Sequence, residues 1–248
     1  MHRWWPGRRI DIAARLTVNR SLRASCQRGR SLPLIDLAHG DASRPVRADT
    51  PPVHEQLRTV ALTLFVEHGF QAVSLRQLAM ALGMQAGSLY NHMESKQILL
   101  FELIEEHETD LLDLLEADDP CQADGLTRLR SYVDLHIRYN LMHQHRLVLA
   151  RRESRCLSAE QRASIEATRQ AHVDHLEKIL RQIPSPAAAE QSSAVARSLM
   201  SILEDAPTWW SPDDAPAVEG FIAVVTHMAV GGLAGPSAEQ SLPLARSA

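Results

Sequence analysis

Residues 53–100 read VHEQLRTVALTLFVEHGFQAVSLRQLAMALGMQAGSLYNHMESKQILL, and the spacing of their apolar side chains decides the fold. Val53, Leu57, Val60, Ala61, Leu64 and Phe65 recur at three- and four-residue intervals, which puts one apolar stripe on one helix face. Gly69 suits the left-handed conformation just past a helix end. Ser74, with Gln77 three residues on, is a capping-box pair that opens a second helix. Leu75, Leu78, Ala79 and Leu82 of that helix face inward, and Gly83 turns the chain. Residues 86–93 then form a short third helix whose buried side is thin (Leu89, Met93) and whose other side carries hydrogen-bonding groups. Ser95 and Lys96 start a fourth helix. A short polar helix held at an angle by a tight turn is built to enter a major groove. The block therefore predicts a helix-turn-helix head over residues 51–97.

The rest of the 248-residue chain is consistent with an all-α protein. Hydrophobic content of 45% and charged content of 23% are ordinary for a soluble globular protein. Aromatics make up only 4%, and strand-type alternation is hard to find. The net charge of -4 is unevenly spread: residues 1–50 hold ten Arg and four Asp, the remainder 16 basic and 26 acidic residues. The head is neutral, with Arg58, Arg76 and Lys96 against Glu55, Glu67 and Glu94, so DNA binding would rest on a few placed contacts. Cys26, Cys121 and Cys156 lie far apart without metal-type spacing and read as thiols of a reducing compartment. The longest apolar stretch, 221–234, is broken by Thr226, His227 and two glycines, short of a spanning helix. At the N-terminus, Trp4-Trp5-Pro6-Gly7 precedes Arg8 and Arg9 instead of an apolar signal core. The expected location is cytoplasmic, with no membrane partner; an organelle leader is the alternative for the Arg-rich start.

Residues 1–50 are expected to be a disordered basic extension, either an arm along DNA phosphates or a solvated extension. A regulatory and dimerisation domain is expected over 98–234, and a flexible tail over 235–248. Its first helix runs from Ser95 to about residue 116, buries Leu99, Leu100, Leu103, Ile104, Leu111 and Leu115, and carries an acidic run from Glu102 to Asp119 that reads as a solvated face. Further helices are expected over 122–142, 144–155, 158–182 (capped by Ser158 with Gln161), 187–205 and 216–230, the last ending at Gly231-Gly232.

The head resembles the DNA-binding domain of the TetR/AcrR family of bacterial transcriptional regulators. Phe65, Gly69, Phe70, Ser74, Leu75, Leu78, Ala79, Gly83, the run Gly87-Ser88-Leu89-Tyr90-Asn91-His92, and Ser95-Lys96 carry the resemblance. Two positions depart from the pattern: Met93, where the family usually has an aromatic, and Gln85, where a small capping residue is common. The resemblance implies that the third helix lies in the major groove of an inverted-repeat operator, bound by a homodimer. It places Ser88 and Asn91 toward the groove and Tyr90 and His92 at phosphate or base contacts. Ser74 and Gln85 lie at the starts of the two helices of the motif. Lys96 would hold a phosphate, and Arg76 and Arg58 the flanking backbone. It also implies a dimer interface built from the last two long helices, with Val195, Leu199, Ile202, Leu203, Phe221, Val224, Val225 and Met228 as its apolar surface.

The effector side is less sharply marked. Arg151 and Arg152, with Arg155 and Arg146 near Tyr139 and Arg138, suit phosphates or carboxylates of a small molecule. Together with Trp209 in the Trp-Trp loop, they resemble regulators that answer to acyl-coenzyme A thioesters. His136, His143, His145, His172 and His175 form a second set, of which His172 and His175 are spaced for a metal; plain helix-surface residues are the simpler reading. No cofactor or resident metal is expected, and no catalytic residue. The sequence thus points to a ligand-responsive DNA-binding regulator, more readily a repressor, released by a small hydrophobic or acyl-CoA-type effector. The rivals are a ligand-independent DNA-binding protein and a helical metal-dependent enzyme.

Overall fold

Side-chain caps at Ser74, Ser95, Asp124 and Ser158 set where four of the α-helices begin, three of them at the serines that the sequence predicts. In the computed structural model, which describes residues 51–185, 187–209 and 215–234, there is no strand among the described residues. The expected N-terminal extension and C-terminal tail lie outside the described residues. The chain runs α1 (Val53–His68), α2 (Leu75–Ala81), a 3₁₀ segment (Ala86–Asn91), α3 (Lys96–Ala117), α4 (Gly125–Met142), α5 (Gln144–Glu153), α6 (Ala159–Leu180), α7 (Ala188–Asp205) and α8 (Ala215–Ala234). Single 3₁₀ turns follow α5 and α7.

Both predicted capping boxes form, Ser74 with Gln77 and Ser158 with Gln161. Ser95 Oγ accepts the Ile98 amide at 3.0 Å. The helix expected from residue 122 begins instead at Gly125, because Asp124 accepts the amides of Leu126 and Thr127 and fixes the start there. Gly69 does end α1, yet with φ 84° and ψ 144°. It therefore occupies an extended conformation of positive φ that glycine alone adopts readily, not the left-handed helical well.

Two apolar cores share one compact unit that starts at Pro51. The first gathers Leu57, Ala61, Phe65, Phe70, Leu78 and Leu89 of the head with Leu99 to Ile104 of α3, and is completed by Leu149, Ala150, Leu157 and Ile165 from α5 to α6. Phe65 and Phe70 meet edge-to-face at 5.3 Å. The second core lies among α3, α4, α6, α7 and α8. Since α3 contributes to both, it is the shaft that joins the head to the regulatory helices.

Three expectations change. The third helix is a 3₁₀ segment, with Ser88 N bonded to Gln85 O and His92 N to Leu89 O. Gln85 offers no side-chain cap, and so short a run gains little from α-type bonds. The last helix passes through Gly231 and Gly232 to Ala234. Burial of Leu233 and the bond from Ser185 Oγ to the Leu233 carbonyl (2.7 Å) offset the helix cost of the glycines. That extension makes 217–234 long and apolar enough, by length and composition, to cross a membrane. Val218, Ile222, Val225, Ala229 and Leu233 are nevertheless buried in the regulatory core.

Candidate nucleic-acid interface and regulatory cavity

The candidate DNA-facing surface grows from the anchoring of the 3₁₀ segment. Leu89 is fully buried and Met93 fills the site where an aromatic is usual, at 9% exposure; a flexible thioether suits an irregular apolar gap. With those two side chains pinned, Tyr90 is thrown outward at 59% exposure. Tyr90 is thus no core aromatic. Asn91 and Gln85 are exposed, and Ser88 and His92 half-buried. Arg76 projects from α2, exposed and without an ion-pair partner among the described residues. Ser74 is committed to its cap, donating to Gln77 Oε1 at 2.7 Å and accepting from the Gln77 amide.

Two cations expected at phosphates are engaged inside the protein. Lys96 Nζ donates to the carbonyls of Phe70 and Val73, each at 2.7 Å, and lies 4.3 Å above the Phe70 ring. It closes the loop between α1 and α2, and desolvation lowers its pKa. Arg58 turns away from the flanks to bind Glu102 at 3.0 Å and Glu106. The carbonyls and carboxylates these side chains meet outcompete solvent, a pairing that lies too far along the sequence for local reading to detect.

The acidic run of α3 is likewise not a uniform solvated face. Arg146 of α5 binds Glu106 at 3.2 Å and Asp110 at 3.1 Å. Glu108 is buried and takes two bonds from Arg169 of α6, at 2.9 and 2.7 Å. No Lys or Arg stands within the run; the arginines arrive from other helices.

Below this lattice lies a small cavity of about 20 Å³ lined by residues of α3, α4, α5, α6 and α7, among them His107, Glu108, His136, Asn140, His172 and Glu204. His107, His136, Asn140 and His172 are each at most 2% exposed. Burial drives His107 down to about 3 and His172 to about 4, with the Arg146 and Arg169 charges adding to the effect, and holds His136 well below its ordinary value. All three rings are therefore neutral near pH 7. Desolvation pushes Glu108 and Glu204 the other way, upward. Periodicity contained a signal for His107, which lies four residues after Leu103 and four before Leu111 on the buried stripe. Asn140 and Arg169 gave none.

The predicted arginine grip divides. Tyr139 is buried, with its hydroxyl 3.5 Å from the His107 carbonyl. Arg138 faces outward and pairs with Asp134 at 2.7 Å and with Glu219. Arg138 does not meet the other candidates, because carboxylates on its own flank claim it, whereas the Tyr139 side chain is hydrogen-bonded with Arg146. Arg151 and Arg152 do converge, in an open cleft of about 430 Å³ with Gln144, His145, Asp205 and Thr208, where Arg151 binds Asp205 at 2.8 Å. Trp209 is exposed and meets Phe221 edge-to-face at 5.8 Å. His172 and His175 do not share a metal site: His172 Nε2 bonds the Glu108 carbonyl at 3.0 Å, while His175 stacks on Tyr132 beside Asp119. No cluster of three or more metal-type ligands exists among the described residues.

The expected dimer face narrows in the same way. Leu199, Leu203 and Val225 are buried in the chain's own core, whereas Val224 and Met228 are 55% and 56% exposed.

Comparisons with known proteins agree with this geometry. Residues 57–103 match the family described as Bacterial regulatory proteins, tetR family, and residues 122–233 match Tetracyclin repressor-like, C-terminal domain. The chain belongs to the TetR family of bacterial transcriptional regulators. The chain is 41% identical over 49 residues to the HTH-type transcriptional repressor KstR2 of Rhodococcus jostii strain RHA1, a match covering 20% of this chain and 24% of that protein. The chain thus spans about a quarter of the length of the curated relative it matches. A bacterial regulatory protein in the tetR family from Rhodococcus RHA1 superposes with a TM-score of 0.65 at 22% identity, over 73% of this chain and 98% of that one. AibR, solved in complex with isovaleryl coenzyme A and operator DNA, superposes with a TM-score of 0.58 at 22% identity, over 69% and 96%.

Proposed function

We propose that this protein is a cytoplasmic, homodimeric repressor that binds an inverted-repeat operator and leaves it when a small molecule occupies the regulatory domain. The observation that carries the reading is the outward Tyr90, held on the six-residue segment Ala86–Asn91, whose Leu89 is locked into the head together with Met93 just beyond it. Asn91 would pair with an adenine edge in the major groove, with Tyr90, Ser88, His92 and Gln85 at neighbouring bases or phosphates. Arg76 would take the flanking backbone. Lys96 and Arg58 shape the head that presents these groups, and Ser74 fixes the helix before them.

Exposed Val224 and Met228 on α8 support a homodimer through the last two helices, which would set two heads one or more turns of DNA apart. An acyl-CoA-type effector is supported by the Arg151–Arg152 cleft and by the coenzyme A thioester bound in AibR. Release would follow as a population shift: the effector favours a spacing of the heads that no longer fits both half-sites. The test is selection from random duplexes followed by footprinting. Enrichment of a two-fold symmetric site supports the reading, and recovery of unrelated duplexes overturns it.

A further inference from the structure

The small regulatory cavity is lined by hydrogen-bond acceptors that the protein leaves unanswered. His172 spends its Nε2–H on the Glu108 carbonyl at 3.0 Å. In a neutral imidazole only one ring nitrogen carries hydrogen, so His172 Nδ1 is a bare acceptor, and it has no partner within the protein. Asn140 donates its Nδ2 to His136 Nδ1 at 3.1 Å, which leaves its Oδ1 acceptor equally unpartnered. His107 Nδ1 is a further buried ring nitrogen on this cavity without a partner. These three groups arrive from α6, α4 and α3, and all line the same space. The carboxylates of Glu108 and Glu204 border it too.

Buried acceptors without donors cost about 1–3 kcal/mol each, and two around one cavity, His172 Nδ1 and Asn140 Oδ1, are a standing demand for a donor. An anion would meet acceptors and carboxylates here, because the nearby guanidiniums of Arg169 and Arg151 are already taken by Glu108 and Asp205. A purely apolar group would leave both acceptors unsatisfied. Leu147 and Arg151 line both this cavity and the open cleft of Arg152 and Thr208, so the two spaces adjoin.

We infer that the cavity is the seat of a hydrogen-bond-donating head group, a hydroxyl or a primary amine, at the buried end of the effector. This deepens the ligand-responsive reading and rests on it: the remainder of the effector runs out past Leu147 into the cleft.

The inference is tested with four matched four-carbon probes: 1-butanol, butylamine, butyronitrile and 1-fluorobutane. The ring-nitrogen resonances of His107, His136 and His172 are followed by nitrogen-15 NMR on the full chain. Saturable upfield movement of the bare Nδ1 signals with 1-butanol or butylamine, and not with the nitrile or fluoride, supports it. Asn140→Leu, which removes the Oδ1 acceptor, should weaken that response tenfold or more. Equal responses to all four probes would overturn it, as would no response to any, the result for a cavity filled by resident water only. The DNA footprint of the same samples separates the two levels. An effector lacking any donor that still releases DNA through this domain sinks the head-group assignment alone. A chain that binds 1-butanol yet recognises no duplex sinks the repressor reading and leaves the cavity chemistry standing.

Discussion

Arg58 on the first helix and Glu106 on α3 are joined side chain to side chain across 48 residues of sequence, and Arg146 from α5 takes the other oxygen of the same carboxylate. The head, the shaft and the first regulatory helices thus meet at one charge. Removing it leaves Arg58 with Glu102 alone and Arg146 with Asp110 alone. Glu106→Leu should lower unfolding stability by about 1–2 kcal/mol, less than for a fully buried network because the group is partly exposed. Glu106→Asp should recover part of the loss. Urea denaturation measures both, and an unchanged midpoint for Glu106→Leu would show that the bridge contributes nothing.

Lys96 serves the loop at Phe70 and Val73 through two charge-assisted bonds. Lys96→Met should therefore cost about 1–3 kcal/mol of stability. Lys96→Arg should not restore it, since a planar fork does not reproduce a compact ammonium. Against the expectation for a phosphate contact, the slope of log binding constant on log salt should stay that of the wild type. A slope shallower by about one unit would return Lys96 to the DNA backbone.

Tyr90 carries the opposite signature. Because its ring is 59% exposed, Tyr90→Ala should leave the thermal midpoint within about 2 °C, a change of under about 1 kcal/mol. Operator affinity should fall tenfold or more, about 1.4 kcal/mol. Equal affinity of mutant and wild type on the selected duplex would remove Tyr90 from the interface.

The buried histidines predict a pH dependence whose sign is fixed. His107 titrates near 3 and His172 near 4 in the folded chain, against 6.5 for an ordinary histidine. Between pH 6.5 and about 4 the unfolded chain binds protons that the native rings refuse, so stability is intact above 6.5 and falls as pH drops through that window. Glu108 and Glu204, whose pKa values are raised, act in the opposite direction near and above their ordinary range, and Arg146 and Arg169 hold the rings neutral. The histidines prevail between pH 7 and 5, where the thermal midpoint should fall by about 5–10 °C. His172→Gln should flatten the curve; a midpoint constant across this range contradicts the assignment.

Val224 and Met228 stand exposed on a helix whose other face is core. Val224→Glu combined with Met228→Glu should convert a dimer into a folded monomer, read by sedimentation, with helical circular dichroism unchanged. A wild type that sediments as a monomer at micromolar concentration would remove the dimer from the account.

Much of the head was legible in the sequence because its determinants are local. Ser74, Ser95 and Ser158 act on amides three residues away, and the stripe from Leu57 to Phe65 needs only helical periodicity. The same locality explains the misses. Lys96, Arg58 and Glu108 are decided by partners 23 or more residues distant, which no spacing rule reports. Asp124 took the helix start from residue 122 because a stronger cap stood two positions later. The cavity was half visible: His136 and His172 stood out as histidines, whereas Asn140 is an ordinary surface residue until α4 turns it inward.

The most direct test of the central claim, that the 3₁₀ segment around Tyr90 reads duplex DNA, is a competition binding titration at low salt without small molecules. A labelled selected duplex is bound by the purified chain and challenged with random-sequence competitor. The account predicts a preference of about a thousandfold or more for the selected duplex, lost in Tyr90→Ala and Asn91→Ala while the fold is kept. Displacement by random competitor at equal concentration would contradict it.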